Sequence, residues 1–128
     1  MISQYLAHLH SLCIFILIAF HICLILGKPW GHLTMAGKFH RELPVKMKMF
    51  SGLSILILFS VALFVEIGSG NIVFGSQNLR QNFLISAIVF NFIQTILHII
   101  TPSKWERVLW LPIILIMLIC SLMILFNL

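Results

Sequence analysis

The side chains in this sequence that could do more than pack are six histidines, three cysteines and three glutamates, Glu42, Glu66 and Glu106, set among runs of Leu, Ile, Phe and Val. His8, His10 and His21 lie in the first apolar run and His98 in the third. In a helix, His10 and His21 share a face to within about 20° and stand about 16 Å apart along the axis. In an up-and-down arrangement His21 and His98 reach similar depth. Two histidines from separate helices can hold a haem iron axially, and the core of a helical bundle is a usual place for such a cofactor. Haem b clamped by His21 and His98 is therefore the sharpest chemistry on offer. The alternative is that both are hydrogen-bonding core residues. His32 and His40 sit near Glu42 in a polar stretch, but their spacing is too loose for a zinc site and no cysteine joins them, so no metal site is expected. The carboxylates are unpaired, two in loops and Glu66 at the end of an apolar run, where water should reach it. There is no P-loop, nucleophile elbow or HExxH, and no catalytic residue is expected. Cys13, Cys23 and Cys120 lie inside apolar runs without CxxC spacing and read as small hydrophobes.

A second pattern is Asn91, Gln94, Thr95 and His98, at i, i+3, i+4 and i+7. On a helix they form one stripe about 100° wide. The opposite face carries Ile85, Val89, Phe92, Ile93, Ile96 and Ile100. Such a stripe either makes interhelical hydrogen bonds, roughly 0.6–2 kcal/mol each, or lines a polar cavity for a ligand, a quinone headgroup or an ion.

The elements that must carry these residues follow from composition. The chain has 128 residues, 61% hydrophobic and 9% charged, where a soluble domain has about 25% charged. A membrane helix needs about 20 apolar residues, and the stretches at about 5–27, 50–68, 83–100 and 108–127 qualify. The expected fold is all-α: one integral membrane domain, an antiparallel up-down bundle of four transmembrane helices. The first stretch reads as a span rather than a cleaved signal, since no Lys or Arg precedes it and no A-x-A site follows. Lys28, Lys38, Arg41, Lys46, Lys48, Lys104 and Arg107 fall on one side of such a bundle and Arg80 alone on the other. The positive-inside rule then puts both termini outside and the basic loop in the cytoplasm, as for a multi-pass membrane protein. Interspersed with apolar spans, the basic residues suit lipid headgroups rather than nucleic acid. Trp30, Trp105 and Trp110 would form the aromatic belt at that boundary. Ser103 and Glu106 have the spacing of a capping box for the last helix.

The segments PWGHLTMAGKFHRELP, FSGLSILI and SKWERVLWLP resemble a family of small bacterial four-span membrane proteins. That family shares a PWG…G…LP first loop and an ER-x-x-W-x-P entry to the last helix. The matching positions are Pro29, Trp30, Gly31, Gly37, Leu43 and Pro44, then Glu106, Arg107, Trp110 and Pro112. Ala36 stands where the family has a second glycine, and Arg41 and Glu42 where smaller residues are common. The resemblance covers most of the chain in layout and two segments, 29–44 and 103–112, in motif. It implies the architecture and no activity. Physically, prolines stiffen the loop ends and glycines permit turns closed to other residues. The loop is thus either a folded cap packed on SKWER or a plain interfacial anchor.

Three classes of function remain: a structural or interaction component without chemistry of its own; a haem- or quinone-binding redox component; and an oligomeric transporter or channel subunit with Asn91, Gln94 and Glu66 along its path. The first takes the fewest assumptions. The partners expected are the lipid bilayer and either further copies of the chain or another membrane protein.

Overall fold

In a computed structural model, which describes residues 2–30, 33 and 44–126, the chain forms four long helices. They are α1 (Ile2–Ile25), α2 (Val45–Ser69), α3 (Gln77–Ile100) and α4 (Lys104–Phe126). The apolar runs favour helix because each backbone group is then satisfied within its own segment, as hydrocarbon demands. Local signals set the ends. After α1, Gly27 turns at φ 97°, which a side chain would oppose. Its amide donates to Leu24 O (3.2 Å) and that of Lys28 to Cys23 O (3.1 Å), the double bond of a Schellman close. Ser76 Oγ accepts from Leu79 N at 3.2 Å to start α3, and Ser103 Oγ from Glu106 N at 3.2 Å to start α4.

The helices exceed the apolar runs chiefly at their starts: α2 begins at Val45, α3 at Gln77 and α4 at Lys104. Hydropathy marks the stretch that suits hydrocarbon, whereas capping fixes where the helix begins, so the polar turn Gln77–Asn82 is helical although it is not apolar.

Each helix packs on the next and α4 closes on α1, leaving α1 and α3 diagonal across the bundle. Contacts between opposite helix ends, Ser11 with Glu66 and Gly68 with Leu84, make the neighbours antiparallel. The core is built from residues such as Ile14, Leu24, Val65, Leu84, Ala87, Ile114 and Met117. Outward-facing residues are also large and apolar, among them Leu12, Phe15, Leu56, Phe92 and Ile119. A soluble monomer does not carry so continuous an apolar coat. All four helices are long and apolar enough to cross a membrane, and the chain reads as a multi-pass membrane protein. The terminal end of the bundle holds the start of α1, the end of α4 and the α2–α3 turn; the other, called the basic-loop end after the segment that joins α1 to α2 in sequence, holds the end of α1, the start of α2 and the α3–α4 turn.

Candidate functional site

Polar side chains gather at three levels. Midway, Asn91 of α3 reaches His10 of the diagonal helix α1, Nδ2 to Nε2 at 3.0 Å, and Ser121 Oγ of α4 at 3.3 Å. With the amide nitrogen donating, His10 Nε2 is the accepting nitrogen. Ser121 in turn donates to backbone carbonyls of its own helix, Met117 O (3.0 Å) and Leu118 O (2.9 Å). Thr95 Oγ1 donates to Asn91 O at 2.8 Å. His10, Asn91 and Ser121 are fully buried. Polar groups taken from water need partners; these link three helices, while His10 Nδ1 and Asn91 Oδ1 stay buried without a partner among the described residues. So the histidine that joins the α3 stripe through a direct hydrogen bond is His10 and not His21. Position along a helix gives depth, but it does not say which residue a diagonal neighbour reaches.

At the terminal end, Glu66 is sheltered rather than solvated, its side chain 14% exposed. Oε1 accepts from Ser11 Oγ at 2.9 Å and lies 3.3 Å from His8 Nδ1. Oε2 accepts from Asn71 Nδ2 at 2.8 Å. Asn71 also donates to Gln4 O at 3.3 Å. The N-terminus of α1 is thereby tied to the α2–α3 turn.

At the basic-loop end the helices part around a cavity of about 380 Å³. Its walls are mostly apolar, with Leu17, Phe20, Leu58, Phe90 and Ile114 inside and Phe50, Ile57 and Leu97 toward the rim. Into it come His21 from α1, Ser54 from α2, Gln94 and His98 from α3, and Glu106 and Trp110 from α4. His21 Nδ1 is buried without a hydrogen-bond partner among the described residues. His98 Nδ1 lies 2.8 Å from Gln94 O; a carbonyl only accepts, so Nδ1 carries the proton. Its Nε2 then faces Glu106 Oε1 at 3.7 Å, a pair that attracts when the ring holds both protons. Glu106 Oε2 accepts from Thr101 Oγ1 at 3.1 Å. The glutamate's amide uses the Ser103 cap, while its carboxylate turns toward Thr101 and His98. An apolar pocket with a few convergent polar groups is the general form of a small-molecule site.

The α3 stripe therefore divides. Asn91 and Thr95 are buried among the helices, while Gln94 and His98 line the cavity. The residues opposite, Ile85, Val89, Phe92, Ile93, Ile96 and Ile100, are all exposed. His21 and His98 border the same cavity, but His98 is turned to Gln94 O and Glu106. An axial haem ligand would have to turn Nε2 away from Glu106, so the arrangement fits hydrogen bonding better than an iron clamp. Among the described residues, no three His, Cys, Asp or Glu gather as a metal site. The cysteines are free thiols, Cys13 and Cys120 buried and Cys23 partly so.

The motif segments meet beside this cavity. Trp110 Nε1 donates to Leu33 O at 2.9 Å. Phe20 lies between two tryptophans, 4.5 Å from the Trp110 ring centroid and stacked at 6.2 Å and 2° on Trp30. Trp110 is 6% exposed, so it belongs to the core; of the expected belt, Trp105 faces outward. Arg107 donates to Thr101 O at 2.8 Å, closing the α3–α4 turn. Pro29 and Pro112 are exposed, and Pro44 stands just before α2. Gly31, Gly37 and Leu43, with His32, His40 and Glu42, lie outside the described residues. Sequence reasoning missed Leu33, Ser54, Thr101 and Ser121. A serine or threonine in an apolar run signals little, because its hydroxyl can always bond its own helix. No protein-family model, curated protein or solved structure matches this chain, so the chemistry of the cavity is read from its own geometry.

Proposed function

We propose that this chain is a non-enzymatic, multi-pass protein of a bacterial inner membrane that binds a small molecule in the cavity at its basic-loop end. One observation carries the reading: His21, Gln94, His98 and Glu106 converge on an apolar cavity of about 380 Å³. Midway and at the terminal end polar side chains bond one another, although His10 Nδ1, Asn91 Oδ1 and Gln4 Oε1 are left without a partner among the described residues; the cavity brings polar groups together with space. Catalysis has little support among the described residues, since Glu66 and Glu106 stand at opposite ends of the bundle. The positive-inside rule supports a cavity on the cytoplasmic side and both termini outside. A reporter fused at Leu128 is then active only outside the cytoplasm.

Mass spectrometry of the gently purified protein tests the binding. A small molecule should accompany the wild-type chain and be lost from Ser54→Phe, which fills the cavity from its wall. If neither preparation carries one and membrane extracts shift the stability of both equally, the cavity is only loose packing. The chain would then be a structural component.

A further inference from the structure

The cavity has an extension. A shallower groove of about 290 Å³ runs along the seam between α2 and α3, past Leu56, Ser60, Phe64 and Ser86. Ile57 and Phe90 belong to both, so the two spaces adjoin. Ile57 to Phe64 is two helical turns, about 10 Å. The rim residues Phe50 and Leu97 are each 52% exposed, on outward faces that suit lipid. The mouth therefore opens sideways. The hydroxyls on this route are satisfied within their own helices: Ser54 donates to Phe50 O at 3.0 Å, Ser60 to Leu56 O at 2.9 Å and Ser86 to Asn82 O at 2.9 Å. The groove thus offers an apolar tail little but hydrocarbon contact. Toward the terminal end the seam closes, where Phe64 packs on Phe83 at 4.8 Å and Gly68 meets Leu84.

The head end differs in kind. Among the described residues His21 Nδ1 has no partner, and Glu106 brings a carboxylate to the cavity wall. No Lys or Arg is among the described lining residues. An anionic head would be repelled by Glu106 in a medium of low dielectric, whereas a hydroxyl or an ammonium would donate to it.

We infer that cavity and groove together hold one single-chain amphiphile from the bilayer, entering between α2 and α3. Its head donates hydrogen bonds and carries no negative charge, and it sits between His21 and Glu106 with its tail along the seam. This rests on the binding proposed above and adds the ligand class and the route.

The test uses the full chain in lipid nanodiscs and native mass spectrometry, with hexadecanol, hexadecylamine and hexadecyl phosphate as probes of equal tail. The alcohol or the amine should bind one to one, and the tighter of the two identifies the head's charge. The phosphate should bind at least about ten-fold more weakly, a difference of about 1.4 kcal/mol. Glu106→Gln should narrow that gap, and Ile57→Trp, at the junction of cavity and groove, should weaken every probe. Phosphate binding as tight as the alcohol overturns the head selection and leaves the cavity a binding site. If no probe binds although a co-purified molecule is still lost from Ser54→Phe, the amphiphile and its route are wrong. If no probe binds and nothing co-purifies, the proposed function falls as well.

Discussion

Each end of this bundle pairs a glutamate with a histidine, and the two pairs behave differently. At the terminal end, Glu66 takes Ser11 at 2.9 Å and His8 at 3.3 Å on one oxygen and Asn71 at 2.8 Å on the other. At the basic-loop end, Glu106 accepts from Thr101 at 3.1 Å, and His98 stands off at 3.7 Å beside a cavity. The first carboxylate is a fastening between α1 and the α2–α3 turn. The second keeps acceptor capacity next to space. The comparison teaches that residue type and pairing do not make a site; unused hydrogen-bonding capacity together with room for a ligand does.

The contrast can be broken most forcefully at Gly68. A Cβ there would stand 2.6 Å from Leu84 Cβ. Leu84 cannot swing its Cβ aside by changing rotamer, so the α2 and α3 backbones must separate. Gly68→Ala should cost about 1–3 kcal/mol, the usual range for overpacking, seen as a lower midpoint of thermal unfolding in detergent. The cavity at the other end should bind as before. Wild-type stability in Gly68→Ala would mean that the terminal end is as loosely packed as the cavity end, and the comparison would lose its basis.

Glu66→Ala is expected to do somewhat less. It removes the acceptor for Ser11 and Asn71, but both are only partly buried and can turn toward water, so about 1–2 kcal/mol is expected. Limited proteolysis of the α2–α3 turn offers a second readout, because Asn71 also holds Gln4. The turn should be cut faster in Glu66→Ala and at close to the wild-type rate in Glu106→Gln. Equal protection in Glu66→Ala would show that the polar knot does not fasten the turn.

Why these two glutamates differ could not be read from their sequence neighbourhoods. Apolar runs of spanning length announce the four helices, and the i, i+3, i+4, i+7 spacing announces which face of α3 turns inward. Both are properties of one segment at a time. The partners of Glu66 lie 55 residues earlier, at Ser11, and 5 residues later, beyond the end of α2, at Asn71. His10 reaches Asn91 across 81 residues and the bundle diagonal. Such pairings depend on helix rotation and offset, which are set by packing among all four helices. The cavity is harder still to foresee, because it consists of what the helices fail to fill. Its polar residues His21, Gln94 and His98 could be picked out by type, but Glu106 is a capping residue in sequence and Ser54 has no signature at all.

The smallest expected effect sharpens the comparison at the level of a single hydroxyl. Ser54 lines the cavity, yet its hydrogen is engaged by Phe50 O at 3.0 Å on its own helix. Only its lone pairs face the ligand, and a donating head has a better acceptor in the Glu106 carboxylate. Ser54→Ala should therefore leave stability within about 0.5 kcal/mol of wild type. It should also weaken amphiphile binding less than His21→Ala, which removes a ring nitrogen that has no other partner among the described residues. Calorimetric titration of both variants ranks them. If Ser54→Ala loses more affinity than His21→Ala, the head sits against α2 rather than between α1 and α4, and its contact with Glu106 would have to be replaced by one with the serine.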